Sequence, residues 1–128
     1  MEKSPFKNKK VLVAGGTGMI GIQLVKMLMK EGVSVRIASL DDPSRAHPES
    51  EFIKTDLTLL ENCRAVCRGM DYVFNLLGVK GSPAVQGNPA NLISPMLQFN
   101  TNLLRAAYEA EADGYLLTSS YGAYYPAE

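Results

Sequence analysis

The chain has 128 residues, enough for one domain with its own core but short for separate cofactor and substrate domains. Thirteen basic residues balance thirteen acidic ones, so no net field draws the chain to nucleic acid or to an anionic membrane surface. The charged stretch Met1 to Lys10 lacks the apolar core of a signal peptide, and no later apolar run approaches bilayer length; the expectation is a soluble, cytoplasmic protein.

The first element is a strand. Val11-Leu12-Val13-Ala14 is a run of four apolar residues, the pattern of a strand covered on both faces. It hands over to Gly15-Gly16-Thr17-Gly18-Met19-Ile20-Gly21, after which Ile20, Leu24, Met27 and Leu28 recur at the spacing of one helix face over about residues 19–31. Glycines at a strand-to-helix junction let a dinucleotide pyrophosphate approach the unpaired N–H groups of the helix start. They fit two registers, Gly16-x-Gly18-x-x-Gly21 and Gly15-x-x-Gly18-x-x-Gly21.

Further strands are expected at 33–38, 52–55, 72–77 and 115–118, alternating with helices at about 58–68 and 95–112; that alternation means a parallel sheet with right-handed crossovers. Ser94 and Pro95 read as the cap and first position of the last helix, whose apolar face is Met96, Phe99, Leu103, Ala106 and Ala110. Cys63 and Cys67 belong to an apolar stripe with Leu59, Val66 and Met70, so they read as core thiols and no metal site is expected. His47 falls in a segment of loop composition, Asp41 to Pro48, and reads as an exposed loop residue. The stretch from Gly78 to Asn91 is rich in Gly, Pro, Ser and Asn and follows the carboxyl end of the fourth strand, the edge where open parallel sheets bind ligands. Asp56 follows a strand end, where its carboxylate can cap a helix or accept from an exocyclic amine. Ser119 and Ser120 close the fifth strand, either as turn residues or with a hydroxyl facing a nicotinamide.

Taken in order, these runs resemble the N-terminal half of the extended short-chain dehydrogenase/reductase family of nucleotide-sugar epimerases, dehydratases and reductases. Gly15 to Gly21 is similar to the family's opening turn, in the Gly15/Gly18/Gly21 register, and Thr55-Asp56-Leu57 to the pair that contacts adenine. Tyr72 to Gly78 resembles the strand and loop beside the cofactor ribose and nicotinamide. Asn102 to Ala107 resembles the dimerisation helix, and Leu117 to Tyr124 the end of the catalytic-serine strand. Within the family, the runs Asp56–Cys63 and Asp71–Leu76 are similar to GDP-mannose 3,5-epimerases, and the loop Gly78-Val79-Lys80-Gly81 to GDP-fucose synthases.

The resemblance implies a Rossmann-like, doubly wound α/β sheet of about five strands in the order 3-2-1-4-5, spanning 1–128 as one NAD(P)-binding domain without the family's C-terminal strands and substrate domain. It implies cofactor contacts from Gly15, Thr17, Gly18, Met19, Ile20, Gly21, Ser39, Asp41, Asp56, Leu57, Leu76, Leu77, Gly78, Lys80 and Thr118, with Ser120 as a catalytic hydroxyl. A nucleotide sugar is the implied substrate and a homodimer through helix 95–112 the implied assembly. Three positions depart from the family pattern. Ser39 stands where NAD-using members carry Asp; Asp41, two residues on, argues for NAD, while Arg36 or Arg45 argues for NADP, and the balance favours NAD. Met96 stands where the family has Asn. No Tyr has Lys four residues later, so the proton-transferring pair is absent, which reads as a truncated enzyme; a dinucleotide-sensing or scaffold protein, or a partner-binding module using Met96, Phe99 and Leu103, are the other readings.

Overall fold

The computed structural model describes residues 4–79 and 87–119. Five strands, β1 (Lys10–Ala14), β2 (Ser34–Ser39), β3 (Glu51–Lys54), β4 (Tyr72–Asn75) and β5 (Gly114–Leu117), form one sheet in the order β3-β2-β1-β4-β5, and every pairing is parallel. Helices α1 (Met19–Lys30), α2 (Leu60–Cys67) and α3 (Ala90–Glu109) make crossovers, with a short 3-10 turn at Pro43–Arg45 after β2. The sheet is parallel, as the alternation of elements requires, and it is the doubly wound, Rossmann-like one that the family resemblance implies.

The central strand explains why the helices lie on both faces. Successive side chains of a strand point to opposite sides, and Val11, Leu12, Val13 and Ala14 are all fully buried. Val11 and Val13 pack with Val25, Leu28, Val35, Ile37 and Phe74 beneath α1. Leu12 and Ala14 pack with Cys63, Val66, Cys67, Phe99, Leu103 and Ala106 beneath α2 and α3. Across the second layer Arg64 of α2 pairs with Glu109 of α3 at 2.7 Å. Arg64, then Arg105, holds the Glu109 carboxyl well below the usual range, at about 2.

Three local expectations are corrected. The buried face of α1 is Gly21, Val25 and Leu28, whereas Ile20 and Met27 are exposed. The helix turns its glycine toward the sheet, and a count of apolar residues passes over glycine. Leu59, expected in the stripe of α2, is exposed, while Cys63, Val66, Cys67 and Met70 are buried as expected. The last helix starts at Ala90, so Pro95 lies inside it and Ser94 is no cap. The start signal is Asn88-Pro89: the Asn88 Oδ1 accepts from the Ala90 N–H at 3.0 Å. The face of Phe99, Leu103 and Ala106 packs against the molecule's own core, which removes the partner-binding reading of that face. The exposed apolar residues of α3 are instead Ile93, Leu97, Leu104 and Tyr108. Among the described residues no helix is long and apolar enough to cross a membrane.

Cys63 and Cys67 are free, buried thiols. Among the described residues no cluster of ligating side chains could hold a metal ion. Burial pushes the Cys63 thiol from 9.0 to about 11, with Asp56 adding to it, and the Cys67 thiol to about 12. The unfolded chain therefore loses these protons at lower pH than the native one, and stability falls as pH rises above 9 toward the folded values. Each unit of difference contributes about 1.4 kcal/mol per thiol. Urea unfolding at pH 8, 9.5 and 10.5 is expected to show this decline, and a Cys63→Ala/Cys67→Ala variant a shallower one; equal slopes would refute it.

Candidate functional site at the carboxyl edge of the sheet

The glycine turn is set by two backbone approaches. Gly15 has φ +81° and donates its N–H to the Ala38 carbonyl of β2, so the chain turns sharply out of β1. A Cβ on Gly15 would lie 3.0 Å from the Leu76 carbonyl group, because the turn runs directly over the exit of β4. Gly21 sits on the Gly15 carbonyl: a Cβ there would be 2.3 Å from that oxygen and 2.7 Å from the Gly16 Cα. The same oxygen accepts from the Gly18 N–H at 3.1 Å. Gly15, Gly18 and Gly21 thus meet around the Gly15 carbonyl, while Gly16 lies against Gly21 and would press a Cβ on the Ile37 side chain at 3.0 Å.

This geometry leaves the N-terminus of α1 open. Gly18 occupies the cap position, no side chain caps the helix, and its first turn carries no acidic residue. The N–H groups there keep the partial positive charge of a helix start, which an anionic ligand neutralises.

A cavity of about 450 Å³ lies in front of that helix end. Its wall brings together Gly15, Thr17 and Gly18 from the turn, Ser39 and Asp41 from the end of β2, Asp56 and Leu57 after β3, and Leu76, Leu77 and Gly78 after β4. Ten of the residues singled out in the sequence therefore converge from four strand ends. Leu40, Thr55, Thr58, Val79, Pro95 and Phe99 complete the wall. Pro95 and Phe99 reach it only because α3 passes over the exit of β4, a tertiary relation with no local signature.

Other expected residues fall elsewhere. The Met19 and Ile20 side chains are 89% and 66% exposed and Gly21 is packed under the turn, so these three offer backbone to the helix start and no wall to the cavity. Thr118 lies beyond β5 with its hydroxyl on the Asn75 carbonyl at 3.2 Å, outside the cavity wall. Lys80 and Ser120 lie outside the described residues. Met96 packs partly buried against the core. Arg36 is removed as a phosphate ligand: it binds Glu51 at 2.8 Å and the Val66 and Arg68 carbonyls, closing the end of α2 at the opposite edge of the sheet. Arg45 stays near, 3.9 Å from the Asp41 carboxylate. His47 is half-buried, its Nδ1 accepting from the Glu49 N–H within the loop.

Two polar groups shape the wall. Asp56 Oδ1 accepts from both the N–H and the hydroxyl of Thr58, at 3.0 and 2.7 Å, so the carboxylate ties the entry to α2 while lining the cavity. Asn75 is fully buried at the end of β4. Its amide donates to Asn100 Oδ1 and to the Tyr115 hydroxyl, each at 2.9 Å, and its Oδ1 accepts from the Leu77 N–H at 3.0 Å. Every hydrogen-bonding position of that amide except one acceptor lone pair is used. Asn75 therefore aims the Leu76–Gly78 loop; the signal for it was a polar residue ending an otherwise apolar strand.

A parallel α/β sheet with a glycine turn and an open helix end at the reversal of strand order defines a dinucleotide-fold protein. A model of the NAD-dependent epimerase/dehydratase family matches residues 11–128, and the chain belongs to that family. Cinnamoyl-CoA reductase 1 of Petunia hybrida is 34% identical over 125 residues, which take in 90% of this chain and 36% of that enzyme. An epimerase of Methanothermobacter thermautotrophicus superposes with a TM-score of 0.82 at 26% identity, over 94% of this chain and 38% of that one. A UDP-glucose 4-epimerase of Stenotrophomonas maltophila with bound NAD shares the fold, with a TM-score of 0.79 at 22% identity over 89% of this chain and 38% of that one. The chain thus spans little more than a third of the length of these relatives.

The packing of the turn separates its glycines. Gly21→Ala is expected to cost about 3 kcal/mol, because backbone atoms must move to admit the methyl group. Gly18→Ala, whose Cβ would meet only the Gly15 carbonyl at 3.5 Å, is expected to stay within about 1 kcal/mol of the parent. Urea midpoints of the two variants check this, and equal midpoints would contradict the assignment of Gly21 as the close contact.

Proposed function

We propose that this chain is the NAD-binding portion of a cytoplasmic epimerase, dehydratase or reductase that works by hydride transfer to and from a nucleotide sugar. The observation that carries the reading is the convergence of an uncapped helix end, a glycine turn and two carboxylates, Asp41 and Asp56, around one cavity. The turn offers N–H groups to a pyrophosphate. Asp41 offers acceptors to ribose hydroxyls and repels a 2′-phosphate, which supports NAD over NADP. Asp56 Oδ2 makes no hydrogen bond among the described residues and is available to an adenine amine. Leu76, Leu77, Val79 and Phe99 form an apolar stretch of wall that excludes water.

When bound, NAD supplies the hydride acceptor and donor. Met19, Ile20 and Gly21 take part through backbone N–H groups, and Lys80 and Thr118 belong to the cofactor loops by resemblance. Ser120 donates a hydrogen bond to a substrate oxygen in this reading. The chain holds no Tyr-x-x-x-Lys pair to move the accompanying proton, so it is expected to bind cofactor without turnover. The likeness of Asp56–Cys63 and Asp71–Leu76 to GDP-mannose 3,5-epimerases, and of the Lys80 loop to GDP-fucose synthases, supports the sugar nucleotide. Identity to a cinnamoyl-CoA reductase favours an acyl-CoA ester as the second reading. No observation favours a sensing or scaffold role. The exposed stripe Ile93, Leu97, Leu104 and Tyr108 along α3 supports a homodimer contact.

Calorimetric titration with NAD⁺, NADH, NADP⁺ and NADPH tests the cofactor. The parent chain is expected to prefer NAD⁺ and NADH. Gly18→Val is expected to abolish binding while remaining folded, and Asp41→Asn to weaken NAD⁺ about tenfold, the worth of a hydrogen bond to a charged group. A folded parent chain that binds none of the four would overturn the reading.

A further inference from the structure

We propose that Thr17 and Ser39 are positioning residues whose hydroxyls fix the carboxylate of Asp41, and that this closed ring of hydrogen bonds sets the preference between the two dinucleotides. The inference rests on the cofactor reading above.

The proton directions follow from counting. The Thr17 Oγ1 lies 2.6 Å from Asp41 Oδ2, and an ionised carboxylate only accepts, so the single proton of Thr17 goes to Asp41. Thr17 and Ser39 hydroxyl oxygens are 3.0 Å apart; with the Thr17 proton already placed, Ser39 is the donor between them. Ser39 Oγ in turn accepts from the Asp41 N–H at 3.0 Å. The circuit therefore runs from the Asp41 amide to Ser39, from Ser39 to Thr17 and from Thr17 back to the Asp41 carboxylate. Each member polarises the next in one sense around the ring.

Burial makes the ring durable. Thr17 is 1% and Ser39 7% exposed, so water does not compete for either hydroxyl. Asp41 stands two residues past the last residue of β2, beyond the reach of strand pairing. The ring supplies the constraint that the strand no longer provides, and it ties both the backbone and the carboxylate of Asp41 to the glycine turn. This is why Ser39 in the strand-end register is compatible with an acidic residue at the site: the serine orients the carboxylate that follows it. Arg45 Nη1 approaches the same oxygen from outside at 3.9 Å. A carboxylate that loses the Thr17 hydroxyl shifts toward that guanidinium and away from a ribose in this proposal, leaving the approach less hostile to a 2′-phosphate.

The test uses the full chain with NAD⁺ and NADP⁺ as probes, on Thr17→Val, Ser39→Ala and Thr17→Ser. Amide hydrogen exchange at Asp41 is followed without ligand. Thr17→Val and Ser39→Ala are expected to speed that exchange and to narrow the ratio of NADP⁺ to NAD⁺ dissociation constants about tenfold, as the loss of a charge-assisted hydrogen bond implies. Thr17→Ser, which keeps the donor, is expected to retain the parental ratio. Equal weakening of both cofactors by Thr17→Val would assign Thr17 to the shape of the turn and overturn the proposal, as would unchanged Asp41 exchange. A folded parent that binds neither dinucleotide, with Asp41 exchange still dependent on Thr17, would leave a structural ring and refute its role in selection together with the cofactor reading.

Discussion

The contact between Gly21 and the Gly15 carbonyl governs this molecule more than any other single approach. It presses the first turn of α1 onto the exit of β1 so closely that no side chain fits between them. Three features follow. The helix axis points its N-terminus at the end of the sheet, the Gly15 carbonyl is occupied by the Gly18 N–H, and the face of α1 that reaches the core is fixed as Gly21, Val25 and Leu28. An open helix end, a bare backbone floor and one half of the hydrophobic core therefore share one steric cause.

The second constraint is the buried strand β1. Its four apolar residues divide between two layers, so α1 and the pair α2 and α3 must occupy opposite faces. That division creates the reversal of strand order between β1 and β4, and the cavity opens at this reversal. β4 then carries the polar residue that the arrangement needs. Asn75 spends its amide on α3, β5 and the following loop, and so links the outer elements of the sheet to the cavity wall. A buried amide is tolerated there because its partners are all supplied by protein.

Periodicity made the strands legible, since a run such as Val11 to Ala14 has no alternative to double burial and the Gly15–Gly21 turn marks its own junction. What escaped the sequence has physical reasons that differ from residue to residue. The α1 face was displaced because hydrophobicity counts Ile20 and ignores the close packing of glycine. The α3 start was placed late because Pro95 resembles a first helical residue, whereas the chain already turns into the helix at Asn88-Pro89, where the Asn88 side chain accepts from the Ala90 N–H. Arg36 looked like a phosphate ligand by its place in β2, yet the crossover of α2 brings two carbonyls to it from residues 30 and 32 positions away. The ring of Thr17, Ser39 and Asp41 joins residues 22 and 24 apart, and only the pairing of β1 with β2 brings them together. Local chemistry was readable; contacts made by topology were not.

The relatives that match this chain include a reductase named for a CoA ester and epimerases, one of them named for a sugar nucleotide. Proteins with such different substrates have few requirements in common, and a region shared by all of them is expected to hold those requirements. In this chain the shared region contains the glycine turn, the acidic loop after β2, the entry to α2 and the Asn75-braced loop after β4, all at one edge of the sheet. None of these groups is fitted to a sugar or to a thioester in particular. In the proposed reading they receive a long, anionic ligand laid across the point where strand order reverses. The variation in substrate then falls to whatever faces the far end of that ligand. Such a division lets one half-sheet serve many reactions, because the electrostatic and steric demands of the cofactor are met before any substrate is specified.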